Sequence, residues 1–219
     1  MHRFSPRVRR ARRIFLTAFA AVAGLIAGST AASAHQGPHT TPPASGAATD
    51  AGALSRSIVQ VRLPSVPVRL HSGRLSAFDA ALDSSRPVLL NFVFTTCTGI
   101  CLPMSQVFAA TQERLGSAAG QVQMVSISVD PGQDTPARLA EYAGRFGAGP
   151  QWSFHTGSQG AIDAIQRAFN VYRPDKMGHT PVTFVRPLGA RQWVRLDGFA
   201  SPDRLIREAQ GPLLAAASP

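Results

Sequence analysis

The chain has 219 residues, with 22 Lys plus Arg against 12 Asp plus Glu, two Cys and six His. Those figures exclude a collagen-like repeat, a disulfide-stapled miniprotein and a polytopic membrane protein. The formal charge of +10 suggests a nucleic-acid binder only until it is mapped: Arg3, Arg7, Arg9, Arg10, Arg12 and Arg13 all precede residue 14, and without these six the balance is 16 against 12, or +4.

The arginines lead into 21 uncharged residues, Ile14 to Ala34, with an apolar centre and the small-residue end Ala32-Ser33-Ala34. A basic start, an apolar centre and an Ala-x-Ala end are the three parts of an export signal. Within it, Arg12-Arg13-Ile14-Phe15-Leu16 resembles the twin-arginine export motif. Left uncleaved, the stretch is long enough at about 1.5 Å per residue to cross a bilayer core of about 30 Å and serve as an anchor. Either outcome puts the working part outside the cytoplasm, in a periplasm or on the outer face of the membrane. Nucleic acid is then not an expected partner, membrane association through residues 1–34 is, and two cysteines in an oxidising compartment become the most informative residues.

Residues 35–57 are Pro, Ala, Ser, Thr and Gly with almost no large apolar side chain, a composition that cannot offset its ordering entropy and reads as a flexible tether. Residues 58–217 have the size of one domain. Val59 to Leu63 and Val66 to Leu70 alternate apolar with polar and predict an N-terminal β-hairpin or two edge strands, with His71 in a hairpin tip before Ser72-Gly73. Pro87 to Phe94 is a near-continuous apolar run, as in a central strand covered on both faces. A cysteine-bearing turn follows, then a helix to about Leu115 and a second core strand, Val122 to Val129. Asp134-Thr135-Pro136 supplies an N-cap and a first-turn proline for the next helix. Trp152 to His155 reads as a short strand, Gln159 to Tyr172 as a helix, Val182 to Arg186 and Gln192 to Leu196 as a hairpin, and Pro202 to about Leu214 as a closing helix. The order predicts an α/β fold with a mixed central sheet, its dithiol where a core strand meets a helix.

Thr96-Cys97-Thr98-Gly99-Ile100-Cys101-Leu102-Pro103 places two thiols at i and i+4. With the second in a first helical turn, both sulfurs face one way, close enough for a disulfide or a shared metal ion. The helix N-terminus adds unpaired N–H groups and the positive end of a dipole, which favour thiolate. The bland reading is a structural disulfide, but a three-residue loop staples little chain. Two thiolates suit Cu(I), and an imidazole would let the same site hold Cu(II). Of the histidines, His2 leaves with the signal, His35 and His39 lie in the tether, and His155 sits in an apolar strand as a half-buried core residue would. His179, in the loop Met177-Gly178-His179-Thr180-Pro181, is placed to reach across a sheet end, although a loop histidine alone more often faces solvent. Cleavage after Ala34 would also expose His35 as an amino-terminal copper chelator. Asp130 and Asp134 could be read as metal ligands, against the plainer account that Asp134 or Thr135 caps a helix.

Taken together, Asn91-Phe92-Val93-Phe94-Thr95-Thr96-Cys97-Thr98-Gly99-Ile100-Cys101, the run Ser128-Val129-Asp130-Pro131-Gly132-Gln133-Asp134-Thr135-Pro136, the strand end Phe154-His155-Thr156-Gly157, and His179 followed by Pro187-Leu188-Gly189 resemble the Sco/SenC family over about residues 58 to 212. The resemblance implies a thioredoxin-like fold that binds a copper ion through Cys97, Cys101 and His179. It also implies a role in assembling the copper centre of a respiratory cytochrome c oxidase, with the copper-bearing subunit or another exported copper or thiol protein as partner. The chain departs from the family pattern where Thr98 and Leu102, in place of prolines, follow the cysteines, where no acidic residue separates them, and where Thr180-Pro181 follows His179. A proline before a strand opposite a dithiol is what thioredoxin-like oxidoreductases place in cis beside their sulfurs. A thiol-disulfide oxidoreductase, with one of Cys97 and Cys101 attacking and the other resolving, is therefore the alternative, and a thiol peroxidase a third reading.

Overall fold

The computed structural model describes residues 54–214. The export signal or anchor at 1–34, the tether as far as 53, His35 and His39 lie outside the described residues. No helix among those described is long and apolar enough to cross a membrane.

In chain order the elements are β1 (Ser55–Val59), β2 (Pro67–Leu70), β3 (Leu75–Ala77), α1 (Phe78–Ala81), β4 (Val88–Val93), α2 (Cys101–Leu115), β5 (Gln123–Ser128) and α3 (Pro136–Arg145). They continue through β6 (Trp152–Gly157), α4 (Gln159–Ala168), β7 (Val182–Arg186), β8 (Trp193–Asp197) and α5 (Pro202–Leu214). All eight strands join one mixed sheet in the order β1-β8-β7-β4-β5-β6-β2-β3. β4 runs parallel to β5 and antiparallel to β7. Every residue of β4 and β5 is buried, which is why neither shows the apolar-polar alternation of a half-exposed strand.

Aromatic rings fill both faces. Phe92 meets Phe169 and Phe184, and Phe169 meets Phe78 and Trp193. On the other face Trp152 packs against Phe108 and Phe154, and Tyr142 against Phe154. That second face also carries a buried polar chain across three strands. Trp152 Nε1 donates to Ser126 Oγ at 3.0 Å, and Ser126 Oγ donates to Asn91 Oδ1 at 2.7 Å. Buried polar groups require such partners.

The α/β mixed sheet with flanking helices agrees with the expectation, and three local readings change. First, residues 59–63 and 66–70 do not pair with each other. β1 starts at Ser55, inside the segment read as tether, and pairs antiparallel with β8, Ile58 opposite Val194. Pro64 and Pro67 lack the N–H groups a ladder between the two runs would need. The N-terminal hairpin forms one strand later, between β2 and β3, with Gly73 at φ +86 and its N–H on Leu70 O at 2.8 Å. The tip at His71-Ser72-Gly73 is where the sequence placed it. Second, the helix expected to reach Tyr172 stops at Ala168, because Asn170 turns left-handed (φ 54) and Val171 N–H bonds back to Gln166 O at 2.9 Å; asparagine is one of the few residues that takes this conformation readily. Third, no peptide is cis among the described residues, so the Thr180–Pro181 bond is trans.

His155 in β6 is fully buried, with Nε2 2.9 Å from Ser153 Oγ and Nδ1 without a partner among the described residues. Burial, reinforced by His71 and Arg74, pushes its pKa down from 6.5 to about 3. The unfolded chain takes up this proton near 6.5 while the folded chain refuses it until about 3. Stability from this group is therefore complete above pH 6.5 and falls as pH drops through that window, at up to about 1.4 kcal/mol per pH unit. Denaturant melts from pH 7 to 4 should show this limb, and His155→Gln should flatten it whatever it does at neutral pH. An unchanged slope would remove His155 from the account.

Candidate metal centre

β4 ends at Val93, and the chain turns at once: Cys97 N–H donates to Phe94 O at 3.1 Å, closing a turn with Thr95 and Thr96 at its centre. α2 then begins at Cys101. Pro103 is accommodated because the first-turn N–H groups have no intrahelical acceptor to lose. The Cys101 N–H donates to Cys97 Sγ at 3.4 Å. Both thiols are free and buried, Cys97 8% exposed and Cys101 0%. The i, i+4 spacing thus brings the two cysteines together as the sequence predicts.

The charge state of Cys101 differs from expectation. Burial, reinforced by the neighbouring Cys97, pushes the Cys101 thiol well above its usual range. A helix N-terminus contributes about 0.3–1 kcal/mol to an anion. Full burial can shift a pKa by several units at about 1.4 kcal/mol each, so burial wins. The dipole alone does not make a bare thiolate of Cys101; a cation on its sulfur would have to offset the desolvation.

His179 follows a 3-10 turn at Lys176–Gly178 whose start is capped by Asp175, with Met177 N–H on Asp175 Oδ1 at 2.9 Å. Its Nε2 lies 2.9 Å from Phe92 O. A carbonyl can only accept, so Nε2–H is the donor and the ring's lone pair sits on Nδ1. Burial lowers the imidazole pKa, opposed by the Phe92 carbonyl and helped by Arg173, which favours the neutral, ligating form. Thr183 faces Asn91 in the β7–β4 ladder, which carries the loop before β7 to the end of β4 from which the cysteines depart. Among the described residues, however, no three His, Cys, Asp or Glu side chains gather closely enough to hold a metal ion. The dithiol is assembled, and His179 stands at the same end of the strand with its Nε2 on a backbone carbonyl.

The acidic run after β5 has structural partners. Asp130 pairs with Lys176 at 2.5 Å, and Lys176 in turn lies over the Phe94 ring at 5.4 Å. Thr135, not Asp134, caps α3 by accepting the Arg138 N–H at 3.3 Å. Asp134 is buried and bonded to Thr95 and Ser128. Tyr142, which sequence reading assigned only to the apolar face of its helix, has its hydroxyl 2.9 Å from Ser105 Oγ and 3.4 Å from Cys101 O, beneath the dithiol. The local signal for Asp134 was a second acidic residue beside a Thr-Pro start that needs only one cap; nothing local marked Tyr142. His155 and His71 belong to the β6–β2 side of the sheet, with His71 Nδ1 accepting the Phe154 N–H at 3.1 Å.

The SCO1/SenC family model matches residues 71–198, more than half of the chain and all of the site just described. The "SCO1 protein homolog" of Bacillus subtilis (strain 168) is 36% identical over 77 residues, 34% of this chain and only 40% of that relative's length. Among solved structures, a SCO1/SenC family lipoprotein from Bacillus anthracis str. Ames has a TM-score of 0.60 at 20% identity, covering 70% of this chain and 95% of its own. Arabidopsis thaliana ScoI with copper bound has a TM-score of 0.54 at 25% identity, covering 64% and 89%. With its dithiol at the junction of β4 and α2, its late histidine and a family match across both, the chain belongs to the SCO1/SenC family.

Proposed function

We propose that this chain is an extracytoplasmic copper-binding protein that delivers copper to, or prepares the copper site of, a respiratory cytochrome c oxidase. The observation that carries the reading is the pair of free cysteines packed as Cys101 N–H on Cys97 Sγ, in a chain of this family. Two soft sulfurs and a neutral imidazole are the donor set for copper in either oxidation state. Copper is the cargo, Cys97 and Cys101 are its principal ligands, and His179 is the third. For His179 to join them, its Nδ1 must serve as the ligating atom or its Nε2 must leave the Phe92 carbonyl.

The setting is supported from outside the domain as well. The arginine-rich start and apolar segment of residues 1–34 favour export, and the Bacillus anthracis relative is described as a lipoprotein. Structures of Sco proteins from Arabidopsis thaliana and Bradyrhizobium japonicum are described with copper bound. BsSco, in which a disulfide switch is described, is a member of the Sco family of cytochrome c oxidase assembly proteins. The partner we infer is the oxidase's copper-bearing subunit. The oxidoreductase alternative draws on the same dithiol, in which the fully buried Cys101, its thiol pushed up, is poorly prepared to be the attacking member.

Three measurements test this. The reduced protein should bind one copper per chain, and Cys97→Ser and Cys101→Ser should each weaken Cu(I) binding at least about a hundredfold, since each removes one of two soft ligands; unchanged binding in both variants would sink the proposal. His179→Ala should weaken Cu(II) about tenfold or more, alter the thiolate-to-Cu(II) charge-transfer absorption, and leave Cu(I) nearly untouched, because thiolates dominate the softer ion. Equal losses for both ions would dismiss His179 as the ligand that adds Cu(II). Exchange of the apo protein with a small aromatic disulfide should run no faster than that of a free thiol at pH 7; rapid exchange indifferent to His179→Ala would favour the oxidoreductase.

A further inference from the structure

Asp134 is left over once metal ligands and helix caps have been assigned. Its side chain is fully buried, and none of the ion pairs among the described residues includes it. A carboxylate taken out of water without a cation must be satisfied by donors. Thr95 supplies its backbone N–H, 3.2 Å from each carboxylate oxygen, and its hydroxyl, 2.6 Å from Oδ1. Ser128 supplies its hydroxyl to Oδ2 at 2.6 Å, and its Oγ in turn accepts the Asp130 N–H at 3.1 Å. All three partners of Asp134 donate, so an acceptor-only group is required; an amide would turn an NH2 toward one hydroxyl.

The location matters as much as the number of bonds. Thr95 is the second residue of the turn that Cys97 N–H closes onto Phe94 O, and Ser128 is the last residue of β5. One carboxylate therefore ties the entry of the cysteine loop to the end of the neighbouring strand, on the stretch that leads directly into Cys97.

We propose that Asp134 is the positioning residue of the dithiol: its carboxylate clamps the Phe94–Cys97 turn to β5 and so holds Cys97 Sγ against the Cys101 amide. The role rests on the dithiol being the working group of the function proposed above. Asp134 is itself no ligand. It keeps two sulfurs at a high effective concentration for each other, which any chemistry that uses them together requires.

Disulfide formation reads that positioning without copper. Two protein thiols react with one glutathione disulfide to give the Cys97–Cys101 disulfide and two glutathione thiols, so atoms and electrons balance within the buffer. The full chain is equilibrated across glutathione redox ratios and its free thiols counted. Asp134→Ala should lower the equilibrium constant for closing the disulfide about tenfold, and Asp134→Asn by less, since it keeps one acceptor oxygen. Thr95→Val and Ser128→Ala each remove one hydroxyl donor, should shift it the same way by a smaller factor, and decide the matter if Asp134→Ala does not fold. Thr135→Ala removes the α3 cap one residue away and should lower stability while leaving the disulfide equilibrium unmoved. The proposal is overturned if the Asp134 variants, or both donor variants, stay within about twofold of wild type, or if Thr135→Ala shifts the equilibrium as far. A copper titration of the wild type runs in parallel. Absence of copper binding would remove the functional reading, while the disulfide equilibrium still decides the role of Asp134.

Discussion

The site depends on one constraint, the fixing of β4. Its six residues are buried on both faces, and it is bonded along both edges, to β5 and to β7. A strand held in that way cannot slip in register, because a one-residue shift would exchange its two aromatic-packed faces. The direction in which the chain leaves β4 is therefore settled by the core. Everything that follows, the turn at Phe94–Cys97, the start of α2 at Cys101 and the contact between the two cysteines, is built on that exit. His179 reaches the same place from the other side, because β7 is the antiparallel neighbour of β4 and the loop before it arrives at the same end.

Burial rather than the helix dipole sets the character of the dithiol. The helix start lends an N–H to Cys97 Sγ, but Cys101 is sealed from water and its proton is held accordingly. A cation that replaced the Cys101 proton would offset that desolvation. The chain's departures from the family pattern leave both sulfurs and His179 in place. Lys176 answers Asp130 beside the site, so the acidic run after β5 stabilises loops.

Much of the fold was legible in the residues. The apolar run at Val88–Val93, the Thr-Pro start of α3 and the strand at Val182–Arg186 each report a local preference that the structure keeps. The two cysteines were legible for the same reason, since their type and spacing carry the chemistry, whereas the late histidine stood out only through the family resemblance. What could not be read locally was partnership. Val59 to Leu63 has the period of a strand, yet the edge of β8 takes the residues just before it. Gln159 to Tyr172 has the period of a helix, yet Asn170 ends it early.

By itself, then, with His179 marked as a third ligand only through the family resemblance, the sequence determined that this is an α/β domain behind an export-like segment, with a Cys-x-x-x-Cys pair at a strand-to-helix junction. Those are properties of residue type and spacing along one chain. The tertiary structure alone decided that the dithiol is buried, that Asp134 bridges Thr95 and Ser128, and that His179 Nε2–H rests on the Phe92 carbonyl. Each of these depends on groups 30 or more residues apart or on the loss of water around them, and neither distance across the fold nor desolvation is written in local sequence.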